Sequence, residues 1–450
     1  MAPPLLWLCV FGAALSSFQF GWHIGVLNIP ATLIHECPID PATAEFLPSP
    51  LVYDAPPSRD DLSLSIQSTM HPVAPDCISM SDGMWNFVVA VFSLGGLFGG
   101  LAVPYLTVRA GRKPTFVVTA VLYALSAGMM WVTTSVFPFL FARWLAGVAT
   151  GISAAMVPIY LNEIAPPSIK SILGLAHQLS LVFGLLMSQI VAIVLSTPTT
   201  WRYLVSFSFW PALVQLLFLA TVMLESPRYL YLHHRDETAA ITVLSALRDA
   251  PQPQLLDEIA AWRAPRLGSD VPLHPTDNES DVHQPLLSRH ASVEEGGLPL
   301  PHHANRSAMS VQQLLRDTSL AKPVRVTVLT QVSQQWSGIN GIIQYSHALF
   351  LILLGGDVSS AQWASVGLNG INLGMTILAA FIIERYGRHH LLLASQISMA
   401  AASMATTLSA LTGWASLSTC FVIVAVAAFA VGLGPMYLFF FSLSSLLFFH

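Results

Sequence analysis

The chain has 450 residues; 54% are apolar, only 10% are charged, and the net charge is −5, with a mean hydropathy of +0.62. An ordinary globular chain carries about 25% charged residues, and here most of the charges crowd into two stretches, 225–322 and 31–83. The rest is close to free of charge, which excludes a soluble enzyme, a nucleic-acid binder and a disulfide-stapled scaffold.

Uncharged apolar runs of about 20 residues read as membrane spans, because a helix of that length crosses the hydrocarbon with every backbone group bonded internally. Ten such runs follow in chain order, near 5–29, 84–106, 114–134, 136–160, 171–195, 203–224, 324–354, 360–383, 391–412 and 417–437. The first exceeds a signal-peptide core and lacks a clear small-residue cleavage site, so it reads as a retained span. The 31–83 loop holds eight acids and one base, Arg59, whereas the short turn after the second run carries Arg109, Arg112 and Lys113. By the positive-inside rule the basic turn is cytoplasmic and the acidic loop is not.

The chain then divides into a six-span unit (1–224), a cytoplasmic loop (225–322), a partial second bundle (323–437) and an atypical tail (438–450). Inside the loop, 237–247, 254–263 and 311–315 read as short helices, and 268–309, rich in Pro, Ser, His and acids, predicts disorder. The sequons at Asn278 and Asn305 fall in this loop and are expected to stay unmodified. Cys37 and Cys77 both lie in the acidic loop, whose compartment permits a disulfide between them; two free thiols are the alternative. In span two, Gly95-Gly96 and Gly99-Gly100 fit helix packing better than a phosphate loop.

Polar residues inside spans are costly and mark a cavity or a helix contact. Span seven is the richest, with Gln331, Gln334, Gln335, Asn340, Gln344 and Tyr345. At 100° per residue Gln331, Gln334, Gln335 and Tyr345 share one face. Asn340 points away unless Gly338 or Gly341 breaks the helix. Span five adds Gln178 and Gln189, span eight Asn369 and Asn372, and span one Gln19 and His23. Amides offer donors and acceptors together with no charge to desolvate, which suits a neutral polyol; interhelical hydrogen bonding is the competing use. The turn Arg109-x-Gly-Arg112-basic recurs as Arg385-x-Gly-Arg388-basic, closing the second span of each half, as in transporters built from two parallel repeats.

At these residues the chain resembles the sugar-porter family of the major facilitator superfamily. Phe18-Gln-Phe-Gly21, Gly111-Arg-Lys113, Arg143, Pro158 to Glu163, His177-Gln178-Leu179, Glu225-Ser-Pro-Arg228, Gln334 to Asn340, Glu384 to Arg388 and Gly432 to Pro435 stand in the family's order. The long cysteine-bearing loop and His23 look most like a fungal branch with vacuolar hexose-transporter-like proteins. The resemblance implies an all-α bundle that moves a hexose by alternating access, with no cofactor, no metal, no enzyme activity, and a monomer in the plasma or vacuolar membrane. It carries over Gln178, Gln334, Gln335, Asn340 and Asn372 as sugar ligands and places Tyr345 near a gate. It also implies a cytoplasmic charge network of Arg109, Arg112, Glu163, Glu225, Arg228, Glu384 and Arg388.

Three features depart from the family pattern. Val108 stands where the family has Asp or Asn, so one acidic partner of the network is missing. His23 stands where proton-coupled members carry an Asp facing the span-four Arg, here Arg143. Without that carboxylate an uncharged His23 and facilitated diffusion are expected. After Pro435 the chain runs into 438–449, built only of Leu, Phe and Ser, where the family continues with two further spans. This predicts a read-through tail and leaves a sugar sensor or an inactive truncated product as alternatives to a transporter.

Overall fold

Every uncharged run is helical, as expected where no water is present to satisfy a free backbone group. The structure, a computed structural model, describes residues 3–35, 77–248, 252–263, 318–386 and 388–434. The expectations on Cys37, 268–309, 311–315 and 438–450, and on the side chains of Glu384 and Arg388, lie outside what is described. The first half contains α1 (Pro4–Gly25), the short α2 (Ala31–His35), α3 (Asp82–Arg109), α4 (Arg112–Val132), α5 (Val136–Ile164), α6 (Lys170–Leu195), α7 (Trp201–Ser206) and α8 (Phe209–Thr221). One turn, α9 (Pro227–Tyr229), leads through a π-helical turn (Leu230–His234) to α10 (Glu237–Leu247) and α11 (Gln252–Arg263). The second half contains α12 (Thr318–Trp336), α13 (Ile339–Gln344), α14 (Ser346–Leu353), α15 (Val358–Tyr386), α16 (Arg388–Leu411) and α17 (Ala415–Val431).

Eight of the ten runs form helices long and apolar enough to cross a membrane. The tenth is a 17-residue helix, α17. The seventh is broken: Gly338 takes φ 74°, a left-handed conformation open to glycine, and ends α12, and a second break at Tyr345 separates α13 from α14. Gly341, the other residue expected to permit a break, lies inside α13.

Lipid tails are as apolar as leucine, so helices in a membrane gain little from burying apolar faces and pack instead through close backbone approach. Gly95 and Gly99 of α3 face the carbonyls of Trp144 and Val148 on α5, where an added Cβ would stand 2.2 and 2.1 Å from oxygen. Gly147 and Gly151 return the contact from α5 onto the Phe92 and Gly96 carbonyls at 2.1 and 2.0 Å. The glycine motif of span two is therefore half of a reciprocal seam. A second seam joins α1 to α6 through Gly21 and Gly184.

Two apolar clusters fill the ends of the first half, one around Phe116 and Tyr160, the other around Trp22, Trp85 and Trp201. A third crosses between halves: Leu185 of α6 is buried with Ile339, Phe350, Leu368 and Phe429. α6 packs along α15, and α1 meets α13. At the basic end α10 and α11 dock under α5. Leu247 is fully buried there, and Arg248 donates to the Ile164 and Ala165 carbonyls at 2.6 and 3.1 Å, held by Glu258 at 3.0 Å. A cation on the last, otherwise unpaired carbonyls of a helix satisfies both their hydrogen bonding and the helix dipole.

Candidate functional site

α6, which carries the amides of span five, packs along α15, which carries those of span eight. Gln178 is buried on α6 and reaches the end of α17: a Cβ on Gly434 would stand 3.2 Å from its Nε2. Asn372 and Asn369 are buried on α15, and each keeps an Oδ1 with no hydrogen-bond partner, while Asn369 Nδ2 donates to the Ser365 carbonyl at 2.9 Å. Gln334 is buried on α12 with its Oε1 unpartnered, as is Gln331 Nε2. Buried polar atoms without partners are rare in folded proteins because each costs about 1–3 kcal/mol. Unpartnered amide atoms of this kind on α12 and α15 can be satisfied by a hydroxyl-bearing ligand or by water.

Gln335 and Asn340 behave differently. Both are exposed, and across the Gly338 break Asn340 Nδ2 donates to Gln335 Oε1 at 2.8 Å. The break thus brings Asn340 back beside Gln335 and apart from the buried Gln334.

At the end of the bundle that carries α2, one residue outside the predicted set ties the halves together. Asn28, 5% exposed, donates through Nδ2 to Gln189 Oε1 on α6 at 3.1 Å and to Ser346 Oγ on α14 at 2.7 Å. Its Oδ1 accepts the amide N–H of His347 at 3.1 Å, in the first turn of α14, where helical N–H groups lack internal partners. Gln189 Nε2 donates to the Gly25 carbonyl at 2.8 Å, fixing the clasp on α1. Tyr345 adds a second bridge, donating to Asn86 Oδ1 on α3 at 3.0 Å. In the sequence Asn28 is a single amide at the close of span one before Pro30, with no pattern that sets it apart.

The amide of Gln19 turns the other way. It donates to Gln215 Oε1 on α8 at 3.1 Å, and Gln215 in turn donates to Ser16 Oγ and the Gly12 carbonyl. Gln19 is therefore a bolt inside the first half. His23 and Arg143 do meet, but through the backbone: Arg143 Nη1 donates to the His23 carbonyl at 3.1 Å. The His23 ring lies flat on Tyr123, 5.4 Å between centroids at 4°, with both ring nitrogens unpartnered.

At the basic end Arg112 forms a bidentate pair with Glu163, 2.9 and 2.7 Å, buried on both sides. Glu225 accepts the backbone N–H groups of Arg112 and Lys113 at 2.9 and 3.0 Å, a carboxylate at the positive end of α4. Gly111, at φ 94°, makes room for it; a side chain there would meet Glu225 Oε2 and the Tyr229 ring at 2.8 Å. Tyr229 carries the Arg112 guanidinium on one ring contact, 4.7 Å from its centroid, and the His233 ring at 5.0 Å. Partial burial first, and the Arg112 charge second, hold the His233 imidazole below the usual histidine range. Arg109 instead lies over the Tyr105 ring on its own helix, and Arg228 sits half-buried in the α9 turn. Cys77 is disulfide-bonded, while Cys9 and Cys420 are free.

The family model described as "Sugar (and other) transporter" matches residues 9–265 and 281–445, running into the 438–449 stretch that departs from the expected family pattern. The facilitated glucose transporter member 1 of solute carrier family 2 from Gallus gallus is 27% identical over 442 residues, 96% of this chain and 76% of its own length. Member 2 from Bos taurus is 30% identical over 417 residues, 87% and 71% respectively. The proton:xylose symporter XylE, solved with 6-bromo-6-deoxy-D-glucose, superposes with a TM-score of 0.67 at 20% identity, covering 96% of this chain and 81% of that one. A partially occluded, inward-open form of XylE from E. coli gives 0.66 at 19% identity, covering 99% and 88%. With a family model spanning most of its length, the all-α bundle described above belongs to the sugar (and other) transporter family, within the major facilitator fold.

Proposed function

We propose that this protein carries a hexose-type sugar across a membrane by alternating access between its two halves. The observation that carries the reading is the set of buried, unpartnered amide atoms on α12 and α15 beside Gln178 on α6. A sugar hydroxyl donates and accepts at once and satisfies an amide without bringing charge into the bilayer. Gln178, Gln334 and Asn372 act as ligands, and the exposed Gln335–Asn340 pair opens to sugar when the break in span seven moves. The Asn28 clasp and the Tyr345–Asn86 bond close one end of the path. The Arg112–Glu163–Glu225 group lies at the other end, which we assign to the cytoplasm from its basic residues.

Transport is facilitated diffusion in this reading, since His23 brings no carboxylate to Arg143. The fungal vacuolar-type branch rests on the long cysteine-bearing loop and His23, the Cys37–Cys77 bridge rests on the compartment of that loop, and both a plasma and a vacuolar membrane fit the chain. The test is uptake of radiolabelled D-glucose into proteoliposomes made with the purified chain. Saturable, stereoselective uptake without lumenal acidification is expected, reduced at least tenfold in Gln178→Leu and Asn372→Leu. Binding without uptake would mark a sugar sensor, and neither binding nor uptake with any hexose would refute the assignment.

A further inference from the structure

Arg143 lies about 10 Å inside α5, two turns from its start, and is 2% exposed. A guanidinium carries five N–H donors and a permanent charge. Here one donor has an acceptor, the His23 carbonyl; Nε has none, and a ring contact with Phe92 at 4.7 Å is the remaining described interaction. None of the ion pairs described, which include Arg112–Glu163 and Arg248–Glu258, involves Arg143, so among the described residues no carboxylate pairs with it. A carbonyl dipole and a ring face soften the burial of a cation, but they do not neutralise it. An uncompensated charge in a membrane interior costs several kcal/mol and calls for a counter-charge.

The same side chain lines a small, partly open cavity of about 30 Å³, together with Asn28, Trp85, Gln344 and Tyr345, room for one occupant the size of a water molecule or a halide. This cavity lies against the clasp at the α2 end, away from the amides of Gln334 and Asn372. It offers a cation, two carboxamides, a phenol and an indole face, and no described acid. The geometry points to an anion site: the cavity binds a halide-sized monovalent anion as the counter-charge of Arg143. The Gln344 amide would donate to the ion from beside the guanidinium, because both Asn28 Nδ2 hydrogens are already donated to Gln189 and Ser346. Because Asn28 also clasps the two halves, the anion would favour the clasped state.

Thermal unfolding of the purified full chain in detergent tests this without any transport, so a failed hexose assay leaves it standing. Ionic strength is held with methanesulfonate, which is exchanged for chloride or for D-galacturonate. A rise in Tm of several degrees that saturates with chloride concentration is expected for the wild type and for Arg143→Lys, since a ligand that binds the folded state stabilises it by mass action. Arg143→Gln should lose at least nine-tenths of that rise. His23→Asp should lose it as well, because it puts a carboxylate on the residue whose carbonyl Arg143 already bonds. A response to chloride and not to the bulkier galacturonate identifies a halide-sized counter-ion; a response to galacturonate overturns this cavity as its seat. No rise with chloride, or an equal rise in Arg143→Gln, overturns the site. If Arg143→Gln does not fold, an undiminished rise in His23→Asp overturns it.

Discussion

In the first half, the amides of Gln215 and Gln189 hold helices together: Gln215 joins α8 to α1, and Gln189 fixes α6 to α1 and to Asn28. In the second half, Gln334, Asn369 and Asn372 are as deeply buried, yet each keeps an amide oxygen without a partner. The glycines divide in the same way. Gly95, Gly99, Gly147 and Gly151 are pressed onto neighbouring backbone, while a Cβ added to Gly367, Gly370 or Gly374 of α15 would meet nothing within 4 Å. The α3–α5 contact is close-packed backbone to backbone, whereas α15 carries unpartnered amide oxygens and glycines with open space around them. The same residue types therefore lock helices together at one place and offer free polar atoms at another.

The comparison breaks first at its strongest bolt. Removing one partner of the buried Arg112–Glu163 pair, by Arg112→Gln or Glu163→Gln, should destabilise by roughly 3–5 kcal/mol because the other charge is left buried. Thermal unfolding of the purified variants measures this, and a change near zero would show that the basic end is not a fixed frame. The glycines come next. Gly99→Ala should cost about 1–3 kcal/mol by overpacking, whereas Gly374→Ala should be neutral or slightly stabilising. Equal losses at the two positions would erase the contrast between halves.

The amides give a smaller but more telling pair. Gln215→Leu removes three hydrogen bonds and should cost about 1 kcal/mol, the scale of such bonds between membrane helices. Asn372→Leu should leave the unfolding temperature unchanged or raise it, while abolishing sugar binding. A stability loss at Asn372 as large as at Gln215 would make it a bolt too. The smallest effect concerns pH at the basic end. His233 holds its proton less tightly in the folded chain than the free side chain does, so its contribution to stability is complete above about pH 6.5 and is lost as pH falls below that. The wild type should lose slightly more stability than His233→Gln between neutral pH and about pH 5.

The spans are legible in the sequence because burial in lipid demands long uncharged helices, and composition alone reports that. The small-residue seam of span two is legible for the same reason, since glycines at helical spacing have few other uses there. The helix 237–247 is legible to the residue because its apolar positions follow a helical period. What the sequence does not reveal is which way a polar residue turns. Gln19 and Gln178 look alike on paper, and only the packing of α8 on α1, and of α6 on α15, separates a bolt from a ligand. Asn28 stands at a span end, where amides are common, so nothing in its local sequence marks it out. Its role depends on the first turn of α14, more than 300 residues later in the chain. Arg109 matches a motif, but the helix carries it toward Tyr105, on the face away from Glu163.

A structure of the chain with a bound hexose, at a resolution that places the sugar ring, would test the account most directly. The ring should lie between α6 and α15 within hydrogen-bonding distance of Gln178, Gln334 and Asn372, with the unpartnered oxygens now accepting sugar hydroxyls. A sugar lodged elsewhere, with those three amides unchanged and without contact to it, would contradict the account.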